Sequence, residues 1–450
     1  MDSFSRCSLA ILCILVPAAA RAQTTTPAPQ PPATSPLSIH LGDADFLIGG
    51  FLDATAIVRS TNVGSGMSTT FGSIPFGNTP QGNLRETRFT SQNSRLSLLA
   101  TTKVGGAGVK GYVETDFLGA GPANAFVTTN ANTLRMRLYW VQYARGTFEF
   151  LGGQSWSLLT PNRSGLSPVP ADVFFSQNVD TNYQVGLTWA RQTQFRFIAH
   201  PSKALAAGVS LENPQQYVGP AVVLPAAFAS AEVDASGNTA APNPYPDIIG
   251  KVAFDPQTGK THQHVEVAAV IRGFKTYSAA SGSSFSATGR GASVNANLEP
   301  VKGLHLIATS FFSDGGGRYI AGLAPDFIVN ADSSLTLVGS KSATGGVEAQ
   351  VRPRTLVFGY YGTVRIDRQT ASDAGKTVGY GVAGATGANH AIDETTVGVN
   401  QTFFREPRYG AMQLISQYSY LTRTPWSVPD GAPRTAHAHM VYVDIRYILP

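Results

Sequence analysis

Arginine and carboxylate side chains are set out in this sequence at a spacing that could select ions. Arg135 and Arg137 lie two residues apart in Leu134 to Tyr139, and Glu114 and Asp116 do so in Gly111 to Phe117. Residues two apart on an extended strand share a face, so each pair points one way. Guanidinium groups facing water attract anions and can grip carboxylate or phosphate with two parallel hydrogen bonds. Arg88, Arg95 and Arg196 occupy strand-like surroundings of the same kind, and with Arg135 and Arg137 they make a candidate basic wall. Glu114 and Asp116 are placed to offset its field.

Other chemistry is sparse. Gly153-Gln154-Ser155-Trp156-Ser157 departs from the G-x-S-x-G nucleophile elbow, and no His or Asp partner is suggested, so catalysis is not expected. His262 and His264 with Glu266 form one strand face of possible ligands, and His437 and His439 repeat the spacing. The two pairs fall at opposite ends of the strand layout below and cannot share a metal, so they read as rim histidines. Gly315-Gly316-Gly317 and Gly64-Ser65-Gly66 lack the strand-to-helix context of a phosphate loop. No cofactor and no metal site are expected.

The elements that position these residues follow from composition and periodicity. Charged residues make up 14% of the 450, against about 25% in a typical soluble domain, and the 46 glycines exceed the usual ~7%. An ordinary cytosolic enzyme fits poorly. The 33 basic and 28 acidic residues are spread thinly, with no Lys/Arg block, so a nucleic-acid partner is not expected. Arg6, the apolar run Leu9 to Val16 and Ala20-Arg21-Ala22 read as a secretory signal over 1–22 that contains both cysteines, Cys7 and Cys13. A Pro/Thr-rich spacer follows over 23–40. Residues 41–450 show no further linker.

Within 41–450, about sixteen segments alternate apolar with polar residues, among them 46–59, 133–145, 147–157, 181–191, 193–200 and 437–449. Their connections alternate between short, as at Gly146, Gln192 and Arg352-Pro353, and long, as at 60–87, 158–180, 201–246 and 275–286. Short turns at one end and long loops at the other are the habit of an outer-membrane barrel. Strand faces agree. Leu134, Met136, Leu138 and Trp140 oppose Arg135, Arg137 and Tyr139, while Val441, Val443 and Ile445 oppose Asp444 and Arg446. Aromatic residues gather at both strand ends, as at the two interfaces of a membrane. The fold expected is all-β: a transmembrane antiparallel β-barrel of sixteen strands.

The loop 158–180 differs from the others, with three prolines, an apolar Val173-Phe174-Phe175 and Asp172. It follows the fifth strand, and Asp172, Phe174 and Phe175 are expected to form a constriction inside the barrel. Asn93 to Leu98, Gly111 to Phe117, Leu134 to Tyr139 and Leu151 to Ser157 resemble the opening strands of DcaP-like trimeric outer-membrane porins. That resemblance implies a homotrimer of sixteen-stranded barrels passing small, preferentially anionic solutes. Two features differ: the Pro-rich spacer stands where the family often has a heptad-patterned segment, and the chain ends Tyr447-Ile448-Leu449-Pro450 rather than in an aromatic residue. The reading is therefore a passive diffusion channel of the bacterial outer membrane, with lipid bilayer and lipopolysaccharide as its surroundings. The alternative is an exported soluble all-β carbohydrate-binding or hydrolytic protein.

Overall fold

The computed structural model describes residues 35–63, 68–119, 132–169, 173–178, 183–236, 241, 243–259 and 261–450. The signal, most of the Pro-rich spacer and Asp172 lie outside them. Sixteen strands make the wall. The first eight are β1 (Ala44–Arg59), β2 (Glu86–Thr90 continuing as Arg95–Val104), β3 (Ala107–Gly119), β4 (Thr133–Arg145), β5 (Phe148–Trp156), β6 (Arg191–Ser202), β7 (Leu205–Glu212) and β8 (Asp247–Phe254). The rest are β9 (Thr261–Ser278), β10 (Ser283–Val301), β11 (Leu304–Asp314), β12 (Gly339–Arg352), β13 (Thr355–Ile366), β14 (Asn389–Glu406), β15 (Gly410–Pro425) and β16 (Ala436–Ile448). Each pairs antiparallel with its neighbours, and β16 closes on β1 from Phe51↔Ile448 to Arg59↔Met440. Closure leaves no open sheet edge, which a lipid-exposed wall requires.

A short strand, Ser38–Leu41, folds back on Ala44 to Leu47 and extends the ordered chain into the end of the Pro-rich segment. Val104 and Ala107 pair across Gly105 and Gly106, whose φ angles of 56° and 81° suit the tight right-twisted turn that other residues resist. In β2, residues 91–94 bulge opposite 52–54, and Ser94 Oγ accepts the otherwise unmatched Asp53 amide at 3.0 Å.

Two expectations about the wall are corrected. The described part of the expected strand 181–191, residues 183–190, does not form a strand, and there is no turn at Gln192. The sixth strand begins at Arg191, and the seventh is Leu205–Glu212, within the expected long loop 201–246. Tyr183, Val185 and Leu187 alternate because they are buried inside the barrel, where the intervening Gln184 is buried too. Leu-Ala-Ala-Gly-Val-Ser-Leu-Glu is rich in small residues of low strand preference, so its alternation is faint. The expected long loop 275–286 is also a strand extension, since Ser278 pairs with Ser283 at the tip of β9 and β10.

A third correction concerns strand phase. Glu114 faces Leu138 while Thr115 faces Met136, so Arg137 is the extra residue of a bulge in β4. Arg137 and Leu138 both turn inward, and from there Trp140 is buried while Tyr139, Val141 and Tyr143 are exposed. Leu138 and Trp140 therefore do not share the lipid face with Leu134 and Met136.

The exterior is an apolar belt. Val113, Phe195, Phe197, Val209, Val252, Val267, Val294, Val347, Val443 and Ile445 all stand exposed on outward positions. Inside, the long loops form an apolar mass of their own. Phe71 and Ile74, Leu158 and Phe174, Val218, Tyr319 and Phe327, and Tyr380 pack against inward Ile249, Phe274, Phe311, Phe358 and Ile392. Burying each large side chain contributes roughly 1.5–3 kcal/mol. Two small hairpins, Phe327–Val329 with Leu335–Leu337 and Gln369–Asp373 with Lys376–Tyr380, shape this mass.

The reassigned seventh strand is directly testable. Val209→Arg would set a charge against lipid and should destabilise the folded protein by about 2 kcal/mol or more in urea titrations in vesicles. No change would return residues 205–212 to a water-exposed loop.

Candidate functional site

The connection from β5 to β6, residues 157–190, enters the lumen and is bound to inward side chains from β7 round to β16. Leu158 N donates to Glu212 Oε1 at 2.8 Å on β7, and Lys251 Nζ of β8 donates to Thr160 O at 2.8 Å. The Gly165 amide reaches Asp255 at 3.1 Å, just past β8. Arg163 forms a two-pronged pair with Glu348 of β12, at 2.8 and 2.6 Å. Phe175 N donates to Tyr360 Oη at 3.1 Å on β13, Val185 N to Glu394 Oε2 at 2.9 Å on β14, and Gln177 N to Gln417 Oε1 at 2.7 Å on β15. Arg446 of β16 reaches Gln177 Oε1 at 3.1 Å. A backbone segment that has no sheet partner must find acceptors and donors somewhere, and here the wall supplies them.

Phe174 is fully buried, edge-on to Tyr360 with ring centres 4.9 Å apart, and Phe175 lies 6.1 Å from Phe358. Asp172 falls outside the described residues. The loop thus lies along β7 to β16, across the lumen from β1 to β4.

That facing wall carries four of the arginines singled out in the sequence, Arg88, Arg95, Arg135 and Arg137, while Arg196 lies on β6. Arg137, fully buried, donates to Glu114 Oε1 and Asp116 Oδ2, each at 2.6 Å. Arg135 embraces the same Asp116 at 2.5 and 3.0 Å and remains 32% exposed. Arg59 and Arg88 share Glu86, at 2.7 and 3.1 Å, and Arg88 is 40% exposed. Arg446 bridges Asp53 at 3.2 Å and Asp444 at 2.9 Å. Arg95 and Arg446 both stack on the Phe51 ring, at 5.3 and 4.3 Å. Arg196 sits deeper, its hydrogen bonds directed to Trp156 O and Gln194 Oε1. Apart from Arg196, these arginines are therefore gathered on one wall, and most are matched by carboxylates.

The histidines separate as the sequence layout implied. His264 is buried between Asp255, at 2.9 Å, and Glu266, at 3.2 Å, and Glu266 in turn receives Lys251 at 2.7 Å. His262 lies 3.3 Å from Asp255. His437 and His439 face outward against Tyr420, and His439 bonds the Tyr418 hydroxyl at 2.8 Å. Among the described residues no three His, Cys, Asp or Glu side chains are placed to hold a metal ion.

Sequence reasoning missed Arg163, Lys251, Arg272 and Glu348, the charges that fix the interior loops. Arg272 of β9 is fully buried and holds Asp247 at 3.0 Å, Asp326 at 2.7 Å and Gly315 O at 2.7 Å, tying the 315–338 loop to the wall. Their strand phase marked Lys251, Arg272 and Glu348 as inward; nothing in the sequence named their partners. Nearby, Arg318 donates to Gln192 and Gln215, and burial pulls its guanidinium below the usual arginine range. Arg318 also lines a cavity of about 780 Å³ with Phe71, Tyr183, Trp189, Tyr217 and Asn389. A second cavity of about 440 Å³ shares Trp189 and Ala321 with it.

A closed sixteen-stranded barrel with an apolar exterior and a wall-bound interior loop is the fold of outer-membrane porins. No protein-family model matches the chain, and no characterised protein matches it by sequence. Solved structures do. The outer membrane channel DcaP of Acinetobacter baumannii superposes with a TM-score of 0.67 at 16% identity, covering 90% of this chain and 97% of that one. An anion-selective porin from Comamonas acidovorans gives 0.53 at 12% identity, over 90% and 99% of the two chains. OmpF of Salmonella typhi, solved with daunomycin, gives 0.50 at 10% identity over 91% and 99%. The likeness to DcaP agrees with the resemblance in the opening strands, and barrels of this fold sit in the outer membrane of bacteria.

The tether between loop and wall has a measurable strength. Glu348→Ala strands the mostly buried Arg163 and should cost about 3 kcal/mol in urea unfolding. Arg163→Met with Glu348→Leu should cost much less than the single change. Equal costs would mean that the pair does not hold the loop.

Proposed function

We propose that this protein is a passive diffusion channel for small hydrophilic solutes, working in the outer membrane as a homotrimer with a modest preference for anions. The observation that carries the reading is the loop 157–190 bound along one side of a barrel lumen, opposite a wall of charged side chains. A wide barrel with a loop folded inside is a device for setting the width and charge of an aqueous path. The apolar belt argues against a soluble carbohydrate-binding or hydrolytic protein, which would have to hold Phe148, Phe195 and Phe197 in water.

The preference for anions is modest because of the pairing. Arg135 and Arg88 are the partly exposed guanidinium groups of the wall, and each shares a carboxylate with a second arginine. Arg59 and Arg88 on the single Glu86 leave an excess of positive charge, while Arg135 and Arg137 are balanced by Glu114 and Asp116; arginine stays charged at any working pH. The anion selectivity of the Comamonas acidovorans porin is consistent with this reading, and the resemblance to DcaP-like porins supports the trimer.

The experiment is a reversal-potential measurement across planar bilayers under a salt gradient at low ionic strength, where screening is least. The parent should pass anions more readily than cations. Glu114→Gln with Asp116→Asn should strengthen that preference, and Arg135→Glu with Arg137→Glu should abolish or reverse it. A cation-selective parent, or variants that leave the potential unmoved, would refute the assignment. In detergent the channel should have the mass of three barrels, and a single-barrel mass would refute the trimer.

A further inference from the structure

The outer face of the barrel carries cations at one height on three of the four successive strands β10 to β13. Arg290 of β10, Lys341 of β12 and Arg365 of β13 all point outward. They stand eleven, eleven and ten residues from the short-turn ends of their strands, at Val301, Arg352 and Thr355. A tilted strand crosses the hydrocarbon layer in about 9–11 residues, so all three side chains emerge at its outer boundary, on the long-loop side. Exposed Phe312 and Tyr361 accompany them, as aromatic residues do at that boundary.

Register brings the three together. Lys341 lies directly opposite Arg365 on one side and Phe312 on the other, and Arg290 lies opposite Asp314, two residues beyond Phe312. Like charges directly opposite on neighbouring strands repel. Arg365 is answered within the chain: it donates to Asp393 Oδ1 at 2.9 Å, and Asp393 also accepts from Thr363 and Tyr361. Among the described residues neither Lys341 nor Arg290 forms an ion pair, and Asp314 closes no bridge to Arg290.

We propose that this face is a docking site for the phosphate groups of an outer-leaflet glycolipid, the bisphosphorylated lipid A of lipopolysaccharide. The proposal rests on the outer-membrane reading above and adds a location to it. Phosphate suits a lysine point charge beside an arginine fork. The cations stand outside the wall, directly above apolar Val294, Val347 and Val357, so the ligand that satisfies both surfaces has an anionic head and acyl chains. A second copy of the chain is a poorer occupant, because the cores of interfaces between proteins are depleted in charge.

The full-length folded channel in detergent is incubated with bisphosphorylated lipid A, with lipid A stripped of both phosphates, and with phosphatidylglycerol, and retained lipid is measured by native mass spectrometry. Bisphosphorylated lipid A should be retained several-fold more than either of the others. Lys341→Ala with Arg290→Ala should lower its retention several-fold while leaving heat-modifiable migration and conductance unchanged. Equal retention of the dephosphorylated lipid or of phosphatidylglycerol, or undiminished retention by the double variant, would overturn the site. Conductance is read on the same preparation, so its absence counts against the channel and leaves the lipid result to be judged alone.

Discussion

A wall of sixteen strands encloses more space than its inward side chains can fill, and the interior is organised by how that space is divided. About half of the wall is covered by a loop that has no sheet of its own, so amides that its own turns leave unpaired need partners from the barrel. Glu212, Tyr360, Glu394 and Gln417 accept from loop amides, and Glu348 accepts from the Arg163 guanidinium. Polar groups of strands β7 to β16 are thus turned toward holding a loop, while those of β1 to β4 face the remaining lumen.

The same constraint governs the charges. A guanidinium partly withdrawn from water is costly unless it is paired and hydrogen-bonded. Arg137, Arg59 and Arg272 meet that condition with carboxylates within 3.0 Å. Pairing holds the side chains in place and also weakens the field they would otherwise cast along the path. The arginines that keep some contact with water are Arg135 and Arg88, and the proposed anion preference rests on them. The apolar mass of the long loops has the complementary role. Phe71, Tyr319 and Phe327 pack with inward side chains of the wall and fill part of the space the strands enclose.

Alternation and turn spacing made the barrel legible, because inward and outward residues face different solvents and leave a period of two. The count of sixteen came out right through offsetting errors: 181–191 stood in for 205–212. Tyr183, Val185 and Leu187 look like a wall strand because any buried extended segment shows apolar alternation, while Ala206, Ala207 and Gly208 of the real strand give almost none. The face shared by Arg135 and Arg137 was readable from spacing alone. Their partners were not, since the match of Asp116 with Arg135 and the bulge that turns Leu138 inward are properties of register between strands. The loop's interior position was suggested by Val173-Phe174-Phe175, but its attachment through Arg163 to a strand 185 residues away leaves no local trace.

The measurement that tests the account most directly is the single-channel conductance of the protein with residues 164–176 deleted, compared with the parent in the same bilayer and salt. A loop lying within the lumen predicts a larger conductance from a correctly folded, heat-modifiable deletion variant. An unchanged conductance would mean that the loop does not narrow the path, and would contradict the account.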